Sequence, residues 1–209
     1  MSRSASTTPM PGAAALPAPG GRYTLTAQAL HWVTAALMFA VVPLAWVMVN
    51  MGHDSASRGL LFTIHKSIGL TILALVAVRL AWRAAHPAPP LPGGLARWER
   101  ASAFASHWLL YLVLVGMPVS GYLLSAGGGR PVNYFGLFTI PGMPKNEALA
   151  HAAAWAHVVT GQWLVYALIV LHLAATAWHV AVRRDGVLER MLPEQEVDAT
   201  EPGAAPLPS

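Results

Sequence analysis

The chain has 209 residues, of which 55% are hydrophobic and only 11% charged, with no cysteine and a formal net charge of +4. Soluble domains carry about 25% charged residues, so water is the wrong solvent for this composition, and the lack of cysteine excludes a disulfide framework, cysteine-held iron–sulfur clusters and C-x-x-C-H haem attachment. The basic residues flank apolar runs and do not cluster with aromatics, which excludes nucleic acid as a partner and fits the lipid bilayer.

Residues 1–21, MSRSASTTPMPGAAALPAPGG, hold no apolar core of the ~7–15 residues that a secretory signal needs, and they read as a disordered tail. Four apolar runs follow, at about 29–49, 60–82, 103–124 and 155–182. Each reaches the ~20 residues that carry a helix across the hydrocarbon core. A spanning segment must satisfy its own backbone, and these runs are too long for barrel strands, so they predict helices. Pro43 and Pro118 should bend the first and third. The Gly- and Pro-rich stretch from Gly127 to Ala150 predicts an irregular loop, with Leu149 to Ala154 leading into the fourth span as a short interfacial helix. From Pro193 to Ser209 the chain is acidic and Pro-rich, a second disordered tail. The expected fold is therefore all-α: an integral membrane four-helix bundle over residues 22–192, with tails at 1–21 and 193–209.

Orientation follows from Lys and Arg. With four spans, the two tails and the middle loop share one side, which holds nine of the 13 basic residues, while Arg58, Lys66, Arg130 and Lys145 lie on the other. The positive-inside rule puts both termini of this multi-pass chain in the cytoplasm.

Four histidines fall within or at the edges of the spans in a way that makes two pairs. His31 follows Arg22 by nine residues, and His172 precedes Arg183 by eleven, so both lie at similar depth from the tail side. His65 follows Arg58 by seven residues, and His157 stands at the opposite end of the fourth span. The fifteen steps from His157 to His172 cover about 22 Å of helix and return to within roughly 60° of the starting face. One helix thus offers an imidazole near each membrane surface. The first helix meets the inner one and the second the outer. Two neutral imidazoles per metal suit haem iron with both axial positions filled, a geometry for electron transfer, and histidine inside a membrane tends to be functional. Gly69 and Gly161, each four residues after an outer histidine, would leave room for a flat macrocycle. His179, seven residues after His172, rivals it as the inner ligand, and His151 rivals His157. His107 has no partner at its depth among the four, and His53 and His86 belong to loops.

These residues sit in motifs that resemble the bacterial cytochrome b561 family: RYTLTAQALHW at 22–32, HKSIGL at His65, VRLAWR ending at Arg83, HWLLYLVLVGMPVSGYLLS from His107, LHLAATAWH around His172 and RRDGVLERMLP from Arg183. The likeness spans about 22–193 and recurs in order in all four helices. It implies four helices and two b haems per chain, with His31 and His172 on the iron of the cytoplasmic-side haem and His65 and His157 on that of the periplasmic-side haem. The His157–His172 spacing is one residue longer than the family often shows, an excess that a helix irregularity would absorb. The resemblance also implies transmembrane electron transfer linked to a quinone and the respiratory chain, with periplasmic superoxide as electron donor in some relatives. Around that entrance Arg58, Lys66, Arg130 and Lys145 face Asp54 and Glu147, a formal +2 that would attract an anion. Lys66, beside His65, is the candidate to steer superoxide or to pair with a haem propionate; snorkelling to the interface would use it equally well. The alternative function is a cytochrome b anchor subunit that docks a redox partner protein, a larger dehydrogenase, and passes its electrons to quinone.

Overall fold

The computed structural model describes residues 21–194; both proposed tails fall almost wholly outside that range. The described chain holds four long helices: α1 Leu25–Asn50, α2 Arg58–Ala85, α3 Arg97–Gly127 and α4 Glu147–Arg183. All four are long and apolar enough to cross a membrane, as composition led us to expect. Each extends beyond its apolar run, because polar termini continue the helix into the interface. Local chemistry marks the starts. Thr24 accepts from Ala27 N–H at 3.3 Å, Glu99 reaches back to Ala96 N–H at 2.7 Å, and Asn146 accepts from Leu149 N–H at 3.0 Å. Each satisfies a donor that the first helical turn leaves free. The last bond also explains why the stretch before Trp155 is no separate interfacial helix: Asn146 starts α4 eight residues earlier than the apolar run, and the helix then continues unbroken.

Two departures from plain α geometry occur in α4. Gly161–Val165 and His179–Arg183 are π turns, the second ending at Arg184, whose φ of 51° is left-handed. Pro43 and Pro118 lie inside α1 and α3. Between α3 and α4 the loop is more ordered than its composition suggests. Val132–Tyr134 (β1) and Phe138–Ile140 (β2) form an antiparallel hairpin, with Val132 opposite Ile140 and Tyr134 opposite Phe138. We call this end of the bundle the hairpin face and the end with the chain termini the tail face.

Close backbone packing among the described residues joins α1 to α2, α2 to α3 and α3 to α4, whereas α4 stands off from α1 and α2. One apolar cluster, Val41, Ile72, Val76 and Tyr111, ties the first three helices; a second, Val113, Val165 and Leu168, ties α3 to α4. Large apolar side chains cover the outside, among them Phe39, Leu112, Trp163 and Val170. Lipid accepts that surface at no hydrophobic cost, so packing, not burial from water, must hold the helices together. The tail face is strapped further. Tyr23 N–H donates to Arg190 O at 3.1 Å, Trp32 Nε1 to Met191 O at 2.7 Å, and Arg22 to the carbonyls of Leu192 and Pro193 at 3.1 and 3.0 Å.

Candidate functional site

The stand-off of α4 is spanned by histidines. On the hairpin face His65 of α2 meets His157 of α4, with ring centres 6.0 Å apart and planes at 87°. On the tail face His31 of α1 meets His172 of α4 at 6.2 Å and 61°. Two imidazoles that share one metal have centres about 6 Å apart, since each metal–nitrogen bond is about 2 Å and each ring centre lies about 1 Å behind its nitrogen. Both pairs match that separation.

On the hairpin face the third helix orients the ring. His157 Nδ1 lies 2.8 Å from the Met117 carbonyl, which also accepts from Ser120 Oγ at 2.9 Å. A carbonyl can only accept, so Nδ1 carries the proton and Nε2 keeps the lone pair. Metal-bound histidines are usually held in this way by a carbonyl behind them. Gly121 permits the approach: a Cβ there would lie 2.8 Å from His157 Cε1. Sequence reading passed over Met117, Ser120 and Gly121. A glycine three residues after Pro118, on a helix that lends no histidine at this level, was the available signal. The two glycines expected to open space behave differently. A Cβ on Gly69 would meet nothing within 4 Å, whereas one on Gly161 would lie 2.6 Å from Met117 Cε, so Gly161 serves packing against α3.

The π turn at Gly161–Val165 lies between His157 and His172. A π turn takes in one extra residue, so the fifteen-residue separation turns through about the angle of fourteen α-helical residues, within roughly 40° of a common face. The additional residue is absorbed there.

The tail-face site includes a third ring. His107 of α3 lies 5.9 Å from His172, ring centre to ring centre, so it does have a partner at its depth. It follows Arg97 by ten residues, between the nine of His31 and the eleven of His172 from their own basic helix ends. His179 turns elsewhere: its Nδ1 bonds Asp185 at 2.7 Å, within a network where Arg183 pairs with Glu99 at 3.1 Å. His151 is exposed near the start of α4, His53 lies in the α1–α2 turn, and His86 caps α2 while stacking on Trp82 at 4.0 Å.

No group of three or more His, Cys, Asp or Glu side chains converges as a metal site among the described residues. Two-histidine sites suit a metal that brings its own remaining donors, as a macrocycle does. Nδ1 of His31 and of His65 is buried without a hydrogen-bond partner, a costly state for rings that nothing else engages. The spacing, the proton on His157 Nδ1 and the gap beside α4 fit haem. Lys66 is half-buried on α2 and makes no ion pair or hydrogen bond among the described residues. Nearby, Gly128 and Gly129 leave room for Arg130 and Lys145, whose side chains fold back to within 3.3 and 3.2 Å of where their Cβ atoms would be.

Known proteins bear on this arrangement. Residues 22–194 match the family model described as prokaryotic cytochrome b561. The chain is 32% identical over 183 residues to cytochrome b561 homolog 2 of Escherichia coli K12, covering 85% of this chain and 94% of that one. It is 27% identical to the probable superoxide oxidase CybB of Yersinia pestis, covering 83% and 97%, and 24% identical to cytochrome b561 homolog 1 of Escherichia coli K12, covering 84% and 99%. The chain belongs to the prokaryotic cytochrome b561 family, multi-pass membrane proteins of electron transfer whose name implies b-type haem.

Proposed function

We propose that this protein holds two b haems, one between His31 and His172 and one between His65 and His157, and carries electrons from superoxide on the hairpin face to a quinone. The observation that carries the reading is the placement of two histidine pairs, at metal-sharing separation, along the flank of α4 that stands off from α1 and α2. Haem bound there supplies an iron that exchanges one electron at a time without an open coordination position.

The chain's own residues do the rest. His157, fixed through Met117, keeps the Nε2 lone pair for a metal, with the His65 ring centre 6.0 Å from its own. The two sites lie fifteen residues apart on α4, about 20 Å along the membrane normal. Lys66, Arg130 and Lys145 give the hairpin face a positive entrance that raises the encounter rate of a small anion. Two superoxide ions release two electrons and leave as dioxygen; one quinone takes both electrons with two protons and leaves as quinol. On the tail face a cleft lined by Tyr23, Arg79, Arg83, His86 and Tyr111 offers donors to a carbonyl or carboxylate group. The tail face is then cytoplasmic, in agreement with its nine basic residues. The name of the Yersinia relative supports the choice of superoxide.

The test is quinone reduction by purified protein in vesicles, driven by a superoxide-generating system, with wild type beside Lys66→Gln. The expected result is superoxide-dependent quinol formation that falls about three- to tenfold in K66Q at low salt and converges with wild type as salt rises. Haem-loaded protein that forms no quinol with superoxide would overturn superoxide as donor. An equal rate in K66Q at low salt would remove Lys66 from the entrance.

A further inference from the structure

The hairpin that joins α3 to α4 has a place of its own. α2 carries three hydroxyl residues at four-residue spacing, Thr63, Ser67 and Thr71, each donating to the carbonyl four residues back, at 3.1, 2.8 and 2.9 Å. At about 100° per residue this stripe lies roughly 160–240° around the helix from His65. It therefore runs down the flank of α2 turned away from the histidine pair. The hairpin docks on it. Ser67 Oγ accepts from Phe135 N–H at 2.9 Å, and Thr71 Oγ1, its proton already given to Ser67 O, accepts from Tyr134 Oη at 3.0 Å. Ser67 has no exposed surface.

These anchor points are deep. Ser67 and Thr71 lie nine and thirteen residues into α2 from Arg58, about 13 and 20 Å along the axis. Both are beyond the level of His65 and inside the apolar run. At its turn the hairpin nevertheless shows Leu137, Phe138 and Phe135 at 77%, 55% and 46% exposure. Its turn N–H groups are provided for as if no water were at hand. Phe135 N–H goes to Ser67, Gly136 N–H to Asn133 Oδ1 at 2.6 Å, and Leu137 N–H to Tyr134 O at 2.9 Å. N–H donors of non-helical backbone at membrane depth must find partners within the protein; a turn in water has no such need. Phe135 also adopts a φ of 50°, a conformation that turns in water usually give to glycine or asparagine.

We propose that the hairpin is re-entrant: it descends along the outward flank of α2 into the leaflet on its own face, and its turn, Phe135 to Phe138, lies among acyl chains. The occupant of this apolar tip is lipid, because the tip's anchors lie within a membrane span. The proposal rests on the four-span architecture and is independent of the haem assignment.

The chain has no cysteine, so one introduced cysteine carries one nitroxide label. Full-length Leu137→Cys and Phe138→Cys, reconstituted in phosphatidylcholine vesicles, are compared by power-saturation electron paramagnetic resonance with Leu112→Cys, 65% exposed at the middle of α3, and with Asp54→Cys in the α1–α2 turn. Oxygen concentrates in lipid and a charged nickel chelate stays in water. The expected result is nickel accessibility several-fold below that of Asp54 at both hairpin positions, with oxygen accessibility like that of Leu112. Nickel accessibility at either hairpin position nearer to Asp54 than to Leu112 overturns the proposal and puts the tip in water, where a protein partner or a second copy would have to cover it.

Discussion

The two histidine sites are built by different means. On the hairpin face the helices themselves do the positioning. A carbonyl of α3 holds His157, Gly121 admits the ring, and a hairpin docked on α2 covers the far flank. On the tail face no hydrogen bond reaches the rings of His31 or His172 among the described residues, and order comes instead from chain segments far apart in sequence. The 190–193 segment is tied to Arg22, Tyr23 and Trp32, and Arg183 joins Glu99 of α3 to Asp185. The hairpin-face site thus has one imidazole held in place, and the tail-face site has three imidazoles within reach of one another, His172 between the other two. A site with a held ligand resists substitution less well than one with a spare.

The sharpest way to break this comparison is to remove ligands where a spare exists. His31→Ala should keep a tail-face haem with a shifted spectrum, as His107 takes the vacated side of His172, and His31→Ala/His107→Ala should lose it. Reduced-minus-oxidised spectra of the two variants check this; equal loss in both would return His107 to a packing role. Next in size is Gly121→Val. Its side chain overlaps the His157 ring, and overpacking of this kind costs ~1–3 kcal/mol. Haem on the hairpin face should bind more weakly while the tail-face haem is unaffected, as read from haem retention during dilution. The smallest effect belongs to Ser67→Ala, which leaves Phe135 N–H unpaired at a cost of ~1–2 kcal/mol. Its thermal unfolding midpoint in detergent should drop by a few degrees with haem content unchanged.

Much of the site could be read from distances along the chain. Three histidines counted from an arginine, and His157 from the end of its span, gave two depths, and α4 carries both because fifteen residues nearly close a whole number of turns. The same count from Arg97 finds His107, but α3 starts six residues before its apolar run, so a depth taken from the hydrophobic boundary misplaces it. The hairpin escaped because its strands are three residues long, too short for alternation to register. Its trace lies in another segment, the Thr63, Ser67, Thr71 stripe, which only makes sense once something docks there. Gly121 was illegible for a related reason: a missing side chain has meaning only beside the ring it admits. The π turn had a trace too, the additional residue between His157 and His172, although the sequence does not say which turn absorbs it.

The most direct test of the central claim is the haem-to-chain ratio by pyridine haemochrome assay, in the wild type and in His65→Ala and His157→Ala. The account predicts about two b haems per chain in the wild type and about one in each variant, with the remaining haem on the tail face. A wild-type ratio near one, or two haems retained without His65 and without His157, would contradict it.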